Sequence, residues 1–82
     1  MYSVDTPQQL RTILRSMRQA SGLTQAQLGE RIGVTQKRIA RIEAAPDVTA
    51  FDQISRMVTA IGYRLMIDEP SKYKVSEPGP TW

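Results

Sequence analysis

The sequence predicts a small all-α fold, a bundle of four short helices followed by one C-terminal β-strand. Three observations carry this. Apolar residues recur at helical spacing in four successive blocks, each block lies between a Thr and a Gly or Pro, and after Gly62 the repeat shortens from about 3.6 residues to two. At 82 residues the chain is one domain at most. A core this small is marginal and gains from a second subunit.

The first block is "DTPQQLRTILRSMRQASG". Thr6 is placed to cap, Pro7 suits the first helical position where no N–H is needed, and Gln9 completes the spacing of a capping box. Leu10, Ile13, Leu14 and Met17 form one apolar stripe, and Gly22 ends the helix. Arg11, Arg15 and Arg18 share another face, which reads as solvated, with contact to phosphates or an acidic partner as its functional alternative. Thr24 opens the second helix with Gln27 at the capping-box position, Leu28 and Ile32 supply its buried side, and Gly33 stops it. Thr35 caps a third helix containing Ile39 and Ile42, which "AAPD" ends because Pro46 biases the preceding residue away from helical geometry. Thr49 is expected to cap the fourth, in which Phe51, Ile54, Val58 and Ile61 form the stripe and Gly62 is the stop.

In "YRLMIDE", Tyr63, Leu65 and Ile67 alternate with Arg64, Met66 and Asp68, the pattern of a strand with one buried face. Nothing else in the chain reads as a strand. Its natural partner is therefore the same segment of a second copy, giving a two-stranded sheet across a homodimer with Tyr63, Leu65 and Ile67 at the interface. The exposed part of the fourth helix is a further dimer candidate. Residues 1–69 thus form the folded domain. Residues 70–82, with Pro70, Pro78, Pro80 and Gly79 and no apolar period, form a flexible tail that ends in Trp82.

Composition narrows the chemistry. With no Cys and no His, a disulfide framework, a Cys or His metal site, a thiol nucleophile and any triad relying on imidazole are excluded, so neither an enzyme nor a cofactor is expected. No apolar run approaches the roughly 20 residues that span a bilayer, and "MYSVDTPQQL" lacks the regions of a signal peptide, so a cytoplasmic location is expected. Charge is uneven. Residues 1–45 carry seven cations against three acids and the remainder four against five, an asymmetry compatible with a polyanion partner.

The basic half contains "TQAQLGERIGVTQKRIARIE", residues 24–43. Counting Gln25 as the first position, Leu28 is fourth, Gly29 fifth, Gly33 ninth, and Val34, Ile39 and Ile42 are tenth, fifteenth and eighteenth. This is the spacing of a helix-turn-helix: a small residue where the helices approach, a glycine in the turn, and an apolar trio that sets the second helix steeply across the first.

On these residues, the stretch from 10 to 62 resembles the Cro/C1-type (Xre) helix-turn-helix family, whose fold is the lambda-repressor-like bundle. That is about two thirds of the chain. Gly29 stands where the family usually has Ala. The helix that follows, "IGYRLMIDE" and the Trp-ending tail are similar to the HipB-type antitoxins, whose partners are HipA-type Ser/Thr kinase toxins. The resemblance implies a DNA-binding homodimer that reads a palindromic operator in double-stranded DNA, represses its own operon and neutralises a HipA-like kinase, with Trp82 as a toxin-binding anchor. It also implies that the third helix enters the major groove with its first residues against the base edges. Side-chain chemistry agrees: Gln36 can pair bidentately with adenine, Lys37 can donate to guanine, Ala40 can meet a thymine methyl, and Arg41 can read guanine or clamp phosphate. Arg38, Thr35 and Gln25 are the expected phosphate contacts, the last at a helix start whose free N–H groups favour an anion. Arg31 reads as solvated, and Glu43, which phosphate would repel, is expected to pair with a neighbouring Arg. Two other readings stay open: a stand-alone or phage-type repressor without a toxin, and a protein-interaction module that uses the bundle only to hold a partner.

Overall fold

The computed structural model describes residues 1–69. Among these residues four α-helices run in order: α1 (Pro7–Ala20), α2 (Gln25–Ile32), α3 (Gln36–Ala44) and, after a 3-10 turn at Pro46–Val48, α4 (Phe51–Ile61). Two of the starts are the reciprocal caps that the spacing predicts. Thr6 Oγ1 accepts from the Gln9 N–H at 3.2 Å while Gln9 Oε1 accepts from the Thr6 N–H at 2.9 Å, and Thr24 and Gln27 repeat the exchange at 3.0 and 2.9 Å. At α3, Thr35 Oγ1 accepts from the Arg38 N–H at 3.1 Å. Each cap satisfies N–H groups that the helix itself leaves without a partner, and is worth about 1 kcal/mol.

The core draws on all four helices. Leu14 from α1, Leu28 from α2, Ile39 and Ile42 from α3, and Met57 from α4 are fully buried, with Met17, Ile32, Ile54, Val58 and Ile61 around them. Leu10, Ile13, Leu23 and Val34 pack against this cluster from its edge. At roughly 1.5 to 3 kcal/mol for each large apolar side chain buried, this cluster is the main force holding the bundle. Helix ends are tied together as well. Arg56 of α4 donates to the Ile32 carbonyl at the end of α2 (2.7 Å), Arg31 of α2 donates to the Ala60 carbonyl near the end of α4 (3.3 Å), and Ser21 donates to the Ile61 carbonyl (3.3 Å). Arg31 is therefore not merely solvated. Its charge sits at a helix C-terminus, where the last carbonyls and the dipole favour a cation.

The start of α4 departs from the sequence reading. Thr49 does not cap it: the N-cap position is Ala50, which makes no side-chain bond, and the Thr49 hydroxyl donates instead to the Ala45 carbonyl at 3.0 Å. Pro46 is the cause, since it ends α3 and opens the 3-10 turn, and Thr49 is used to close that turn. Phe51 is also displaced from its expected role. It is 71% exposed at the first position of α4, and Met57, fully buried, completes the stripe with Ile54, Val58 and Ile61.

Beyond Gly62 (φ +104°), the Tyr63 N–H donates to the Val58 carbonyl at 3.0 Å and the chain leaves the bundle. Residues 63–69 form no strand within this chain. The described residues offer no second strand for them to pair with, and a lone strand leaves its backbone groups without a ladder. Leu65, Met66 and Ile67 are exposed. The proposed tail, residues 70–82 with Trp82, lies outside the described residues.

Candidate nucleic-acid interface

The geometry of the site starts at two glycines. Gly33 has φ +75°, a left-handed conformation that residues with a Cβ adopt only under strain, and it turns the chain from α2 into α3. Gly29 is needed for space: a Cβ there would lie 2.6 Å from the Val34 carbonyl oxygen. That backbone cannot swing aside as a side-chain tip can, because the Val34 N–H itself donates to the Gly29 carbonyl at 2.8 Å. Helix α2 and the turn are thus pressed together, and Val34, Ile39 and Ile42 hold α3 against α2 from within.

The far end of α3 is held by charge. Glu43 is buried and receives Arg18 of α1 through Nε (2.5 Å) and Nη2 (3.2 Å), while the same guanidinium donates from Nη1 to the Leu23 carbonyl (2.9 Å). Gln25, the first residue of α2, adds its amide to Glu43 Oε1 at 3.2 Å. One carboxylate therefore links α1, the start of α2 and the end of α3. The expected pairing of Glu43 with an Arg is realised, but the reading of Arg18 as part of a solvated face is corrected. A signal was available: Arg18 lies four residues beyond Leu14, on the apolar stripe of α1, where a cation is buried only with a partner.

The start of α3 is arranged in the opposite way. Gln36, Lys37 and Arg41 are exposed and their side chains take no hydrogen bond or ion pair among the described residues. Gln36 and Ala40, like Lys37 and Arg41, stand one turn apart on adjoining rows of the helix. Ala40, half-buried, forms part of the wall of a groove of about 420 Å³ between α1 and α3 that Arg11, Thr12, Arg15, Gln25 and Ala44 also line. Arg11 and Arg15 are exposed with no partner among the described residues, so the cationic face of α1, apart from Arg18, flanks the outer side of α3. The three expected phosphate contacts are each already engaged. Thr35 Oγ1 accepts a hydrogen bond as the cap and keeps its O–H, Gln25 donates one amide hydrogen to Glu43, and the Arg38 guanidinium is bonded to Gln53 of α4. Tyr63, Leu65 and Ile67 lie outside this face, in the segment after α4.

A helix-turn-helix domain model matches residues 9–64, and with it the chain belongs to the helix-turn-helix family of DNA-binding regulators. Within that family it is of the Xre-like kind and resembles HipB. The solved structure of a HipB variant in complex with an O2 20mer superposes with a TM-score of 0.78, is 26% identical, and covers 85% of this chain and 97% of its own. No curated protein matches. None of the helices among the described residues is long and apolar enough to cross a membrane.

Proposed function

We propose that this chain is a sequence-specific DNA-binding antitoxin, a homodimeric autorepressor that also binds and neutralises a HipA-like Ser/Thr kinase. The observation that carries the DNA-binding part is the set of unengaged polar side chains at the start of α3, on a helix whose other end is fixed by a buried ion pair. Such a helix presents donors in a fixed register, as base readout requires. Gln36, Lys37, Ala40 and Arg41 take the bases. Gln25, Thr35 and Arg38 take phosphates, joined by Arg11 and Arg15 across the groove. The likeness to HipB held with the O2 20mer supports the same assignment.

Two copies pair through the segment from Tyr63 to Asp68, whose exposed Leu65 and Ile67 would then be covered, and two recognition helices about 34 Å apart read the two halves of a palindrome. Trp82 anchors the kinase. An exposed indole that enters a partner's pocket commonly carries a large share of the binding energy.

Selection of a binding sequence from a random duplex pool, followed by salt titration, tests the first part. A palindrome should emerge, and Arg38→Ala should weaken specific and random DNA about equally while reducing the salt slope by about one phosphate contact. Absence of any DNA binding at moderate salt would leave only the protein-interaction reading. For the toxin, calorimetry with a purified HipA-like kinase should show Trp82→Ala losing roughly 2 kcal/mol or more of affinity with operator binding intact. No heat of binding with the wild-type chain would reduce the protein to a stand-alone repressor.

A further inference from the structure

The segment ahead of α1 lies apart from the surface around α3, yet it carries exposed apolar side chains and makes contacts of its own. Met1, Tyr2 and Val4 are 99, 47 and 43% exposed, and Tyr2 and Val4 stand two residues apart in the chain that leads to Thr6, whose own backbone is extended (φ −135°, ψ 158°). Its direction is fixed at the helix end, where the N–H groups of Asp5 and Thr6 both donate to Gln9 Oε1. It runs to the segment that follows α4. The rings of Tyr2 and Tyr63 meet at a centroid distance of 6.1 Å with their planes tilted by 58°, within the range over which aromatic rings attract.

The segments before and after the bundle thus meet at Tyr2 and Tyr63, with the exposed apolar Val4, Leu65 and Ile67 two to four residues along the chain from that contact. In a single chain this is an exposed apolar surface with little beneath it. A two-stranded ribbon is marginal in water unless one of its faces is covered. The alternation of residues 63–68 puts Tyr63, Leu65 and Ile67 on one side of such a ribbon, and Tyr63 is the residue that Tyr2 touches.

From this we infer that residues 1–4 form an arm of the dimer interface: in the assembled dimer, Tyr2 and Val4 of each chain pack on the Tyr63, Leu65 and Ile67 face of the ribbon made by residues 63–68 of the two copies. The occupant of the apolar surface is a second copy of this chain, and the arm is its cover. The inference rests on the strand-pairing reading given above. It adds that the ribbon is incomplete without a segment about sixty residues earlier in the sequence.

Sedimentation of the full chain over a range of concentrations tests it, with three variants: Tyr2→Ala with Val4→Ser, deletion of residues 1–4, and Leu65→Lys with Ile67→Lys. Because Tyr2 and Val4 lie outside the buried core, helical circular dichroism should be unchanged in the first two. The expected result is a dimeric wild type, a monomeric strand variant, and a dimer dissociation constant raised at least tenfold by either arm variant. A dimeric wild type whose dissociation constant does not move in the arm variants overturns the arm while leaving strand pairing in place. A monomeric wild type at micromolar concentration overturns both.

Discussion

The two ends of α3 face opposite demands. At its C-terminal end Glu43 is 5% exposed and has every carboxylate oxygen engaged, by Arg18 and Gln25. At its N-terminal end Gln36 and Lys37 are exposed and unengaged. The same nine-residue helix is built into the protein at one end and leaves its polar side chains exposed and unengaged at the other. The comparison teaches that polar residues on one helix cannot be assigned by composition. What separates a structural charge from a binding charge here is whether the opposite element supplies a buried counter-ion.

Substitutions at the two ends should therefore separate stability from recognition. The largest effect is expected at the buried end. Glu43→Ala leaves Arg18 desolvated and unpaired, so chemical denaturation should show a loss of roughly 3 to 5 kcal/mol. Replacing both partners with apolar residues, Arg18→Met with Glu43→Leu, should recover most of it, and a double variant no better than the single one would mean that the pair itself is not what holds α3. At the exposed end, Gln36→Ala and Lys37→Ala should leave the melting temperature unmoved while each lowers affinity for the selected palindrome by roughly 1 to 3 kcal/mol and relaxes a single base position. If cognate and random duplexes are affected equally, the start of α3 does not read bases.

Between the two ends lies the turn. Gly29→Ala gains helix propensity but forces the Val34 carbonyl to move, and the overpacking term should win, with a net loss of about 1 to 2 kcal/mol in denaturation. An unchanged or raised stability would show that the turn relaxes freely. Thr35→Ala removes the α3 cap and should cost about 1 kcal/mol, again by denaturation. Smallest of all, Phe51→Ser should stay within about 0.5 kcal/mol, because the ring it removes is already in solvent.

Local chemistry made most of the bundle readable. The capping pairs Thr6 with Gln9 and Thr24 with Gln27, the left-handed Gly33 and the core positions Leu14, Leu28, Ile39 and Ile42 follow from residues within a few positions of one another. Arg31, read as solvated, bonds a carbonyl 29 residues away, and the expected strand after Gly62 has no partner to pair with among the described residues. Other features also did not follow, each for a long-range or competing reason. The burial of Arg18 depends on Glu43, 25 residues away. Thr49 is drawn into the Pro46 turn rather than capping α4. Phe51 fits the stripe of α4 by spacing, but at the first position of the helix no neighbouring element covers it. At the site, the polar, exposed start of α3 with Gln36, Lys37 and Arg41 was legible in the sequence. That Arg38 would be bonded to Gln53 and Gln25 to Glu43 was not, since both partners come from other helices.

The ion pair between Arg18 and Glu43 also works as a fulcrum. From Glu43 to Gln36 is seven residues, about 10.5 Å along the helix axis. A rotation of about 10° around the Glu43 end would carry the Gln36 position sideways by about 1.8 Å, several times the tolerance within which a hydrogen bond keeps its length. Slack at the protein's interior is therefore amplified at the exposed start of α3. A change at Glu43 that leaves enough stability for folding should still blur the reading of bases by residues it never touches.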